Sequence, residues 1–294
     1  MDKIHIPVLL NEVIDSLNIN PDGFYVDCTL GDGGHSFEIY KKLSPDGLLV
    51  SIDQDDYAIS FVKDFYKEDI KHNWIIEKSN FSYIDKVIQK YDTKPDGILM
   101  DLGLSSRQLE ESHNRGFSYL EEEETLDMRM NKDLGVTARD LIHALSEKEL
   151  TRLFKEYGEE NLAHRIAKEI KKSNTTINTV GDLTRLIYKV VPAAHSKKNP
   201  SRRVFQALRI VVNDELDNLE IGLDKSFEVL SEKGRLCVIS FHSLEDRIVK
   251  NFFSNKAGSG EGYLLFKSHI APTDDEIMQN PRSASAKLRV LIKE

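Results

Sequence analysis

The sequence predicts an α/β fold: a mostly parallel sheet covered by helices on both faces, interrupted by a small all-helical insert. Short continuous apolar runs alternate with helix-like segments at both ends of the chain, the pattern of strands buried on both faces. More than 130 residues without a comparable run separate the fourth strand from the fifth, far more than a crossover requires. Charge is partitioned as well. Between Asn161 and Arg209 stand 11 bases and 2 acids, a net +9, in a chain whose total is −9.

Residues 25–28, 48–52, 74–76 and 97–100 are apolar runs of strand length bounded by turn residues, and 235–241 is a fifth. Residues 263–266 and 288–292 make a sixth and seventh; with no convincing helix between them, an antiparallel edge pair is expected. Within the long intervening stretch the signals are helical. Thr137 opens one helix, and Ser146 with Glu149 forms a capping box for the next. Leu162, Ile166 and Ile170 recur at helical spacing with bases between them, and Thr179 to Asp182 introduce Leu183, Leu186, Ile187 and Val190. Residues 121–124 read as a solvated acidic run.

The chain has 294 residues, 40% apolar and 30% charged, which excludes a disordered or collagen-like polymer. No stretch of about eighteen apolar residues exists, so no membrane span is expected. With acids at Asp2, Glu12 and Asp15 and no long apolar stretch, the first residues are not expected to be a signal peptide. Cys28 and Cys237 lie in apolar runs 209 positions apart, without metal-ligand spacing, which fits a reducing cytosol and no structural metal. The overall −9 argues against a protein that coats nucleic acid generally, whereas the local +9 suggests an anionic partner. A solvated helical face explains the same composition.

The first strand leads into Asp27-Cys28-Thr29-Leu30-Gly31-Asp32-Gly33-Gly34-His35. An acid closing a strand, then glycines where the chain turns into a helix, is how open α/β sheets meet a ligand at their carboxyl edge. The glycines are read as keeping side chains away from amides that face the ligand. A dinucleotide GxGxxG pattern requires glycine where Ser36 stands, which weakens an NAD reading. Asp53 closes the second strand twenty residues after Gly33, where a carboxylate can accept both ribose hydroxyls of an adenosine. A ligand with ribose and adenine but no pyrophosphate fits, and S-adenosylmethionine is one; a plain structural turn accounts for the glycines taken alone. Asp101 closes the fourth strand on the same edge, as an acceptor or a turn residue. Phe81, just past the third strand, flanks an adenine or belongs to the core. His242 follows the fifth strand, where Ser243 and Asp246 read as the cap of the next helix.

Eight segments, in order, resemble the bacterial ribosomal RNA small subunit methyltransferase H family over nearly the whole chain. They are His5-Ile6-Pro7-Val8-Leu9-Leu10-Asn11-Glu12, Thr29-Leu30-Gly31-Asp32-Gly33-Gly34-His35-Ser36, Asp101-Leu102-Gly103-Leu104-Ser105-Ser106 and Arg115-Gly116-Phe117-Ser118. Leu126-Asp127-Met128-Arg129-Met130, Phe205-Gln206-Ala207-Leu208-Arg209-Ile210, Ser240-Phe241-His242-Ser243-Leu244-Glu245-Asp246-Arg247 and Asn280-Pro281-Arg282-Ser283 complete them. The resemblance implies a Rossmann-like class I S-adenosylmethionine-dependent methyltransferase sheet, residues 1–105 and 210–294, with residues 106–209 as a helical substrate-recognition insert. It implies a cytoplasmic enzyme that methylates the exocyclic N4 of a decoding-centre cytidine in 16S ribosomal RNA, within the small ribosomal subunit. The family's cofactor contacts fall on Gly33, Gly34, His35, Asp53, Phe81, Asp101 and Gln108, the last of these on the resemblance alone. Enzymes that methylate amino groups of DNA bases carry an Asn/Asp/Ser-Pro-Pro-aromatic motif after the fourth strand. Asp101-Leu102-Gly103-Leu104 stands there instead, so their catalytic roles are not transferable.

The chemistry narrows the candidates. Cytosine's exocyclic amine is a poor nucleophile because its lone pair is delocalised, so it must be held about 3–3.5 Å from the methyl with acceptors aimed at its N–H bonds. Asp101 or a nearby backbone carbonyl can be such an acceptor, and His242 is a second candidate for positioning the base. Lys197, Lys198, Arg202 and Arg203 can hold phosphates flanking an unstacked nucleotide. An RNA-binding assembly factor with a vestigial site and a methyltransferase for a small molecule or protein remain as alternatives. Gly33, Asp53 and Asp101 together weigh against the first, and the +9 stretch against the second. A homodimer is compatible with the sequence but not derivable from it.

Overall fold

Every apolar run read as a strand enters one sheet. β1 (Phe24–Asp27), β2 (Leu48–Asp53), β3 (Trp74–Lys78), β4 (Gly97–Asp101), β5 (Arg235–Ser240), β6 (Gly262–Leu264) and β7 (Lys287–Lys293) lie in the order β3-β2-β1-β4-β5-β7-β6. β1 to β5 are parallel, and β7 runs antiparallel to both of its neighbours, β5 and β6. The structure is a computed structural model that describes residues 7–71, 73–191 and 199–294. Two compact units make up the chain: residues 1–105 with 216–294, and residues 106–215.

In the first unit the two-residue period of each strand separates two apolar layers. Val26, Cys28, Val50, Ile52, Ile98, Met100, Leu236 and Val238 face one layer. There they meet α4 (Ile84–Ile88), α11 (Glu215–Val229) and α12 (Ser243–Gly258). Tyr25, Leu49, Leu99, Cys237 and Ile239 face the other, against α1 (Leu10–Leu17), α2 (Gly34–Tyr40) and α3 (Asp56–Phe65). Each fully buried aliphatic side chain contributes roughly 1.5–3 kcal/mol, and a one-residue slip would exchange the two sets, so register is strongly determined. Cys28 and Cys237 are buried on opposite faces as free thiols.

The antiparallel pairing of the sixth and seventh strands is present, but the connection differs from the expectation. A helix, α13 (Asp274–Gln279), lies between them. It buries no residue, so it leaves no apolar period in the sequence.

The second unit holds α5 (Ser106–Glu110), α6 (Ala138–Ala144), α7 (Glu147–Glu156), α8 (Ala163–Lys172), α9 (Val180–Val190) and α10 (Arg202–Asn213). The capping residues act as expected. Thr137, Ser146 and Thr179 each accept from the amide three residues on, and Asp140, Glu149 and Asp182 return the bond. α10 continues past Arg209, where the sequence places the end of the insert, and breaks at Asp214, with φ 53°. Residues 111–137 are largely irregular and are pinned to α10 by Asn213, which donates to the Met128 carbonyl and accepts from the Met130 amide, both at 2.8 Å. The acidic run is not merely solvated: Glu124 accepts from the Gly116 amide at 2.9 Å and from the Ser112 hydroxyl.

Candidate active site

Three parallel strands of the first unit end in acids at one edge of the sheet, and each acid is held differently. Asp27, at the end of β1, is buried, which pushes its carboxyl pKa up against the hydrogen bonds that hold it down. It accepts from Ser36 Oγ at 2.6 Å, from the Thr29 amide at 3.0 Å and from Thr29 Oγ1 at 3.3 Å. Ser36 Oγ lies 2.8 Å from Ser51 Oγ, which accepts from Trp74 Nε1 at 2.9 Å. The residue that replaces the third glycine of a dinucleotide loop is thus engaged in holding Asp27.

Asp53, at the end of β2, accepts from the Gly31 amide through Oδ2 and from the Asp55 amide through Oδ1, both at 2.9 Å. Burial raises its pKa to about 6 despite those bonds, and Asp55 and Asp27 add to the rise. Each carboxylate oxygen has a second lone pair, so acceptor capacity remains for hydroxyl donors.

Asp101, at the end of β4, donates its amide to Thr29 Oγ1 at 2.7 Å, which ties the ends of β4 and β1 together. Its Oδ2 lies 3.5 Å from His35 Nδ1. Its Oδ1 is buried with no hydrogen-bond partner among the described residues. Burial, and after it the charges of Asp27 and Glu245, drive this carboxyl's pKa well above the usual range. His35 is buried, with Nε2 3.0 Å from the Val8 carbonyl. A carbonyl can only accept, so Nε2 carries the proton and Nδ1 turns toward Asp101.

Two of the glycines are also constrained by packing. A Cβ on Gly34 would meet Pro7 Cγ at 2.4 Å, and one on Gly33 (φ 79°) would meet Val62 and Tyr66 at 3.0 Å. Neighbouring side chains of the protein itself leave no room for a Cβ at either position. Gly31 (φ 50°) has the open side: a Cβ there finds nothing nearer than Ser105 Cβ at 3.6 Å.

The remaining candidates are distributed more widely. Phe81 lies in a 3-10 turn after β3, with its ring so close to Gly222 of α11 that a Cβ there would approach to 2.6 Å. His242 is the N-cap of α12, in a capping box with Glu245, and Ser243 and Asp246 do not fill that role. His242 Nδ1 accepts from the Glu245 amide at 3.3 Å, and Nε2 lies 3.1 Å from Glu245 Oε1. Asp246 instead holds Lys287 and Arg289 of β7, both at 2.8 Å. Gln108 is in the second unit, buried on α5. Arg202 and Arg203 open α10, Arg203 exposed and 3.9 Å from Glu160. Lys197 and Lys198 lie outside the described residues, as do His5 and Ile6 of the first motif. The sequence analysis assigns no structural partner to Thr29 or Ser36; the usable signal is hydroxyls two and nine positions after a strand-end aspartate.

Comparison with known proteins decides the family, because residues 2–294 match one described as the MraW methylase family. The chain belongs to the MraW methylase family. It is 47% identical over 308 aligned positions to the ribosomal RNA small subunit methyltransferase H of Caldicellulosiruptor saccharolyticus, covering 98% of this chain and 99% of that protein. The protein of the same name from Clostridioides difficile is 44% identical over 313 positions, covering all of both chains. The one from Fusobacterium nucleatum is 44% identical over 313 positions, covering 99% of this chain and 98% of its own.

In this methylase the strand order is that of a class I methyltransferase sheet carrying a helical insertion. The acids fit S-adenosylmethionine, a ligand with hydroxyl donors and two positive centres. Three carboxylates gather at the strand ends, one has a buried oxygen without a partner among the described residues, and Gly31 leaves its side open.

Proposed function

We propose that the chain uses S-adenosylmethionine to methylate the exocyclic N4 of a decoding-centre cytidine in 16S ribosomal RNA, acting in the cytoplasm on the small ribosomal subunit. Relatives that match end to end bear the name ribosomal RNA small subunit methyltransferase H. The observation that carries the chemistry is Asp101 Oδ1, a buried carboxylate oxygen with no partner among the described residues, at the edge where the cofactor acids gather.

When bound, the cofactor supplies a methyl activated by a sulfonium. Asp53 accepts the ribose hydroxyls, and the backbone of Gly33, Gly34 and His35 lines the loop beside them. Phe81 flanks the adenine, and Gln108 is the remaining cofactor contact. Asp101 accepts from an N–H of the target amine, which holds the lone pair in line. An alkylated amine is far more acidic than its parent, and Asp101, kept ionised against its burial by the positive charge of the bound cofactor, takes the proton released. Once on Asp101, that proton can be shared with His35 Nδ1, 3.5 Å from Oδ2. In the second unit, which serves as substrate-recognition insert, Lys197, Lys198, Arg202 and Arg203 hold flanking phosphates, and His242 of the first unit acts through the cap it forms with Glu245.

Labelled S-adenosylmethionine offered with free 16S RNA or with small subunits tests this reading. Label recovered as N4-methylcytidine is the expected result. RNA binding without label in the RNA would make the chain an assembly factor, and label in a small molecule or protein alone would overturn the RNA substrate.

A further inference from the structure

Within the second unit, five of the nine described bases of the +9 stretch are already engaged, Arg203 lying 3.9 Å from Glu160. Arg209 makes a two-bond pair with Glu215, through Nε at 2.8 Å and Nη2 at 3.0 Å. Arg185 pairs with Asp182 at 2.7 Å, Lys189 lies 3.7 Å from Glu169, and Lys171 donates to the carbonyls of Ile142 and His143 at the end of α6.

Three bases of α8 differ. Arg165, Lys168 and Lys172 are exposed and have no ion pair or hydrogen bond among the described residues. At 3.6 residues per turn they fall within about 60° of arc and span about 10 Å along the helix. The opposite side of α8 buries Ala163, Ile166, Ala167 and Ile170, so the rotation of the helix is set by packing and the basic face is held outward. The acid of α8 itself, Glu169, lies 3.7 Å from Lys189, and Glu147 of α7 lies 3.6 Å from His164 at the edge of the face. The neighbouring α7 shows the contrast: its exposed Lys148, Arg152 and Lys155 are interleaved with the exposed acids Glu149 and Glu156, and Arg152 lies 4.0 Å from Glu156. One helix face is therefore balanced and the adjacent one is left positive.

We infer that the outward face of α8, formed by Arg165, Lys168 and Lys172, is a track for the RNA phosphate backbone. The inference rests on the RNA-methylating reading above. Arg203 reaches Glu160, just before α8, so the start of α10 lies at the head of this track. Unpaired, solvated bases at this spacing suit successive phosphates. Such contacts position a nucleic acid without reading its sequence.

The test replaces Arg165, Lys168 and Lys172 together by glutamine, which keeps helix propensity and removes the charge. Binding of a 16S RNA transcript, and of small ribosomal subunits, is measured against salt. Each phosphate contact contributes roughly 0.7–0.9 to the log–log slope, so the triple variant should lose about two to three from it. Lys168→Gln alone should lose about one at most. Affinity for S-adenosylmethionine should stay as in the wild type. The pair Lys148→Gln and Lys155→Gln on α7 removes charge from the balanced face and should leave the slope unchanged. If the wild type methylates RNA and the triple variant keeps its slope, the track is elsewhere and the functional reading stands. A wild type that neither binds nor methylates RNA overturns both.

Discussion

Replacing Asp53 by asparagine separates two opposed effects of one carboxylate. Its pKa stands at about 6 against an ordinary 3.8. At about 1.4 kcal/mol per tenfold change, keeping it ionised in the folded apoprotein costs about 3 kcal/mol. The sign follows from linkage. With the folded-state pKa raised, the stability contribution is complete below pH about 3.8, is lost between there and about 6, and is absent above. Asparagine does not titrate, so it escapes this loss. It keeps one acceptor oxygen, however, and either the Gly31 or the Asp55 amide loses its partner, at about 1–3 kcal/mol. The variant should be the less stable protein at pH 4 and draw level with or pass the wild type by pH 7, a relative change of about 3 kcal/mol. Urea unfolding of the apoprotein across that range measures it. Calorimetric titration at pH 7.5 should show the reverse preference. Losing charge-assisted ribose bonds weakens S-adenosylmethionine binding by about 1.5–3 kcal/mol, roughly 10- to 150-fold. Parallel stability curves for the two proteins would refute the desolvation account, and unchanged affinity would refute the ribose contact.

Other substitutions probe the rest of the site. Asp101→Asn should fold and slow single-turnover methyl transfer by roughly 100-fold or more at saturating cofactor; a wild-type rate would remove Asp101 from the chemistry. Ser36→Gly restores the dinucleotide pattern yet removes the 2.6 Å bond to Asp27, so a loss of about 1–3 kcal/mol in urea unfolding is expected and no gain in NAD binding. Asp246→Asn should destabilise the protein by about 1.5–3 kcal/mol at neutral pH through its bonds to Lys287 and Arg289. Those partners depress the Asp246 pKa, so the stabilisation is full above the ordinary carboxylate range and the gap between the proteins should close on acidification.

The strands were legible because burial on both faces writes a continuous apolar run, as in residues 97–100, whatever the tertiary context. The acids closing β1, β2 and β4 were legible for a related reason: a charged residue ending such a run marks the edge where ligands meet the sheet. What sequence reasoning missed depends on contacts between distant positions. Nothing near Gly34 announces Pro7, and nothing near Gly33 announces Val62 and Tyr66. Ser243 and Asp246 had the residue types and spacing of a cap, yet His242 won the position because Asp246 is drawn to two bases of β7. The net charge of a segment says how many bases it holds, not which are spent on internal partners, so Lys171 and Lys172 looked equivalent until Lys171 was found closing α6. Gln108 has no local signal at all, and only the family resemblance singles it out.

Trp74 is the single tryptophan of the chain and ends the polar line that runs through Ser51 and Ser36 to Asp27. The rings of Phe37, Tyr40 and Tyr66 surround it. Indole emission responds to the hydrogen bond at its own nitrogen, so the protein carries an intrinsic optical probe two hydroxyls away from the carboxylate at the head of the loop. Where occupation of that loop shifts the line, Trp74 emission should report it in the unmodified chain, without labelled cofactor or RNA.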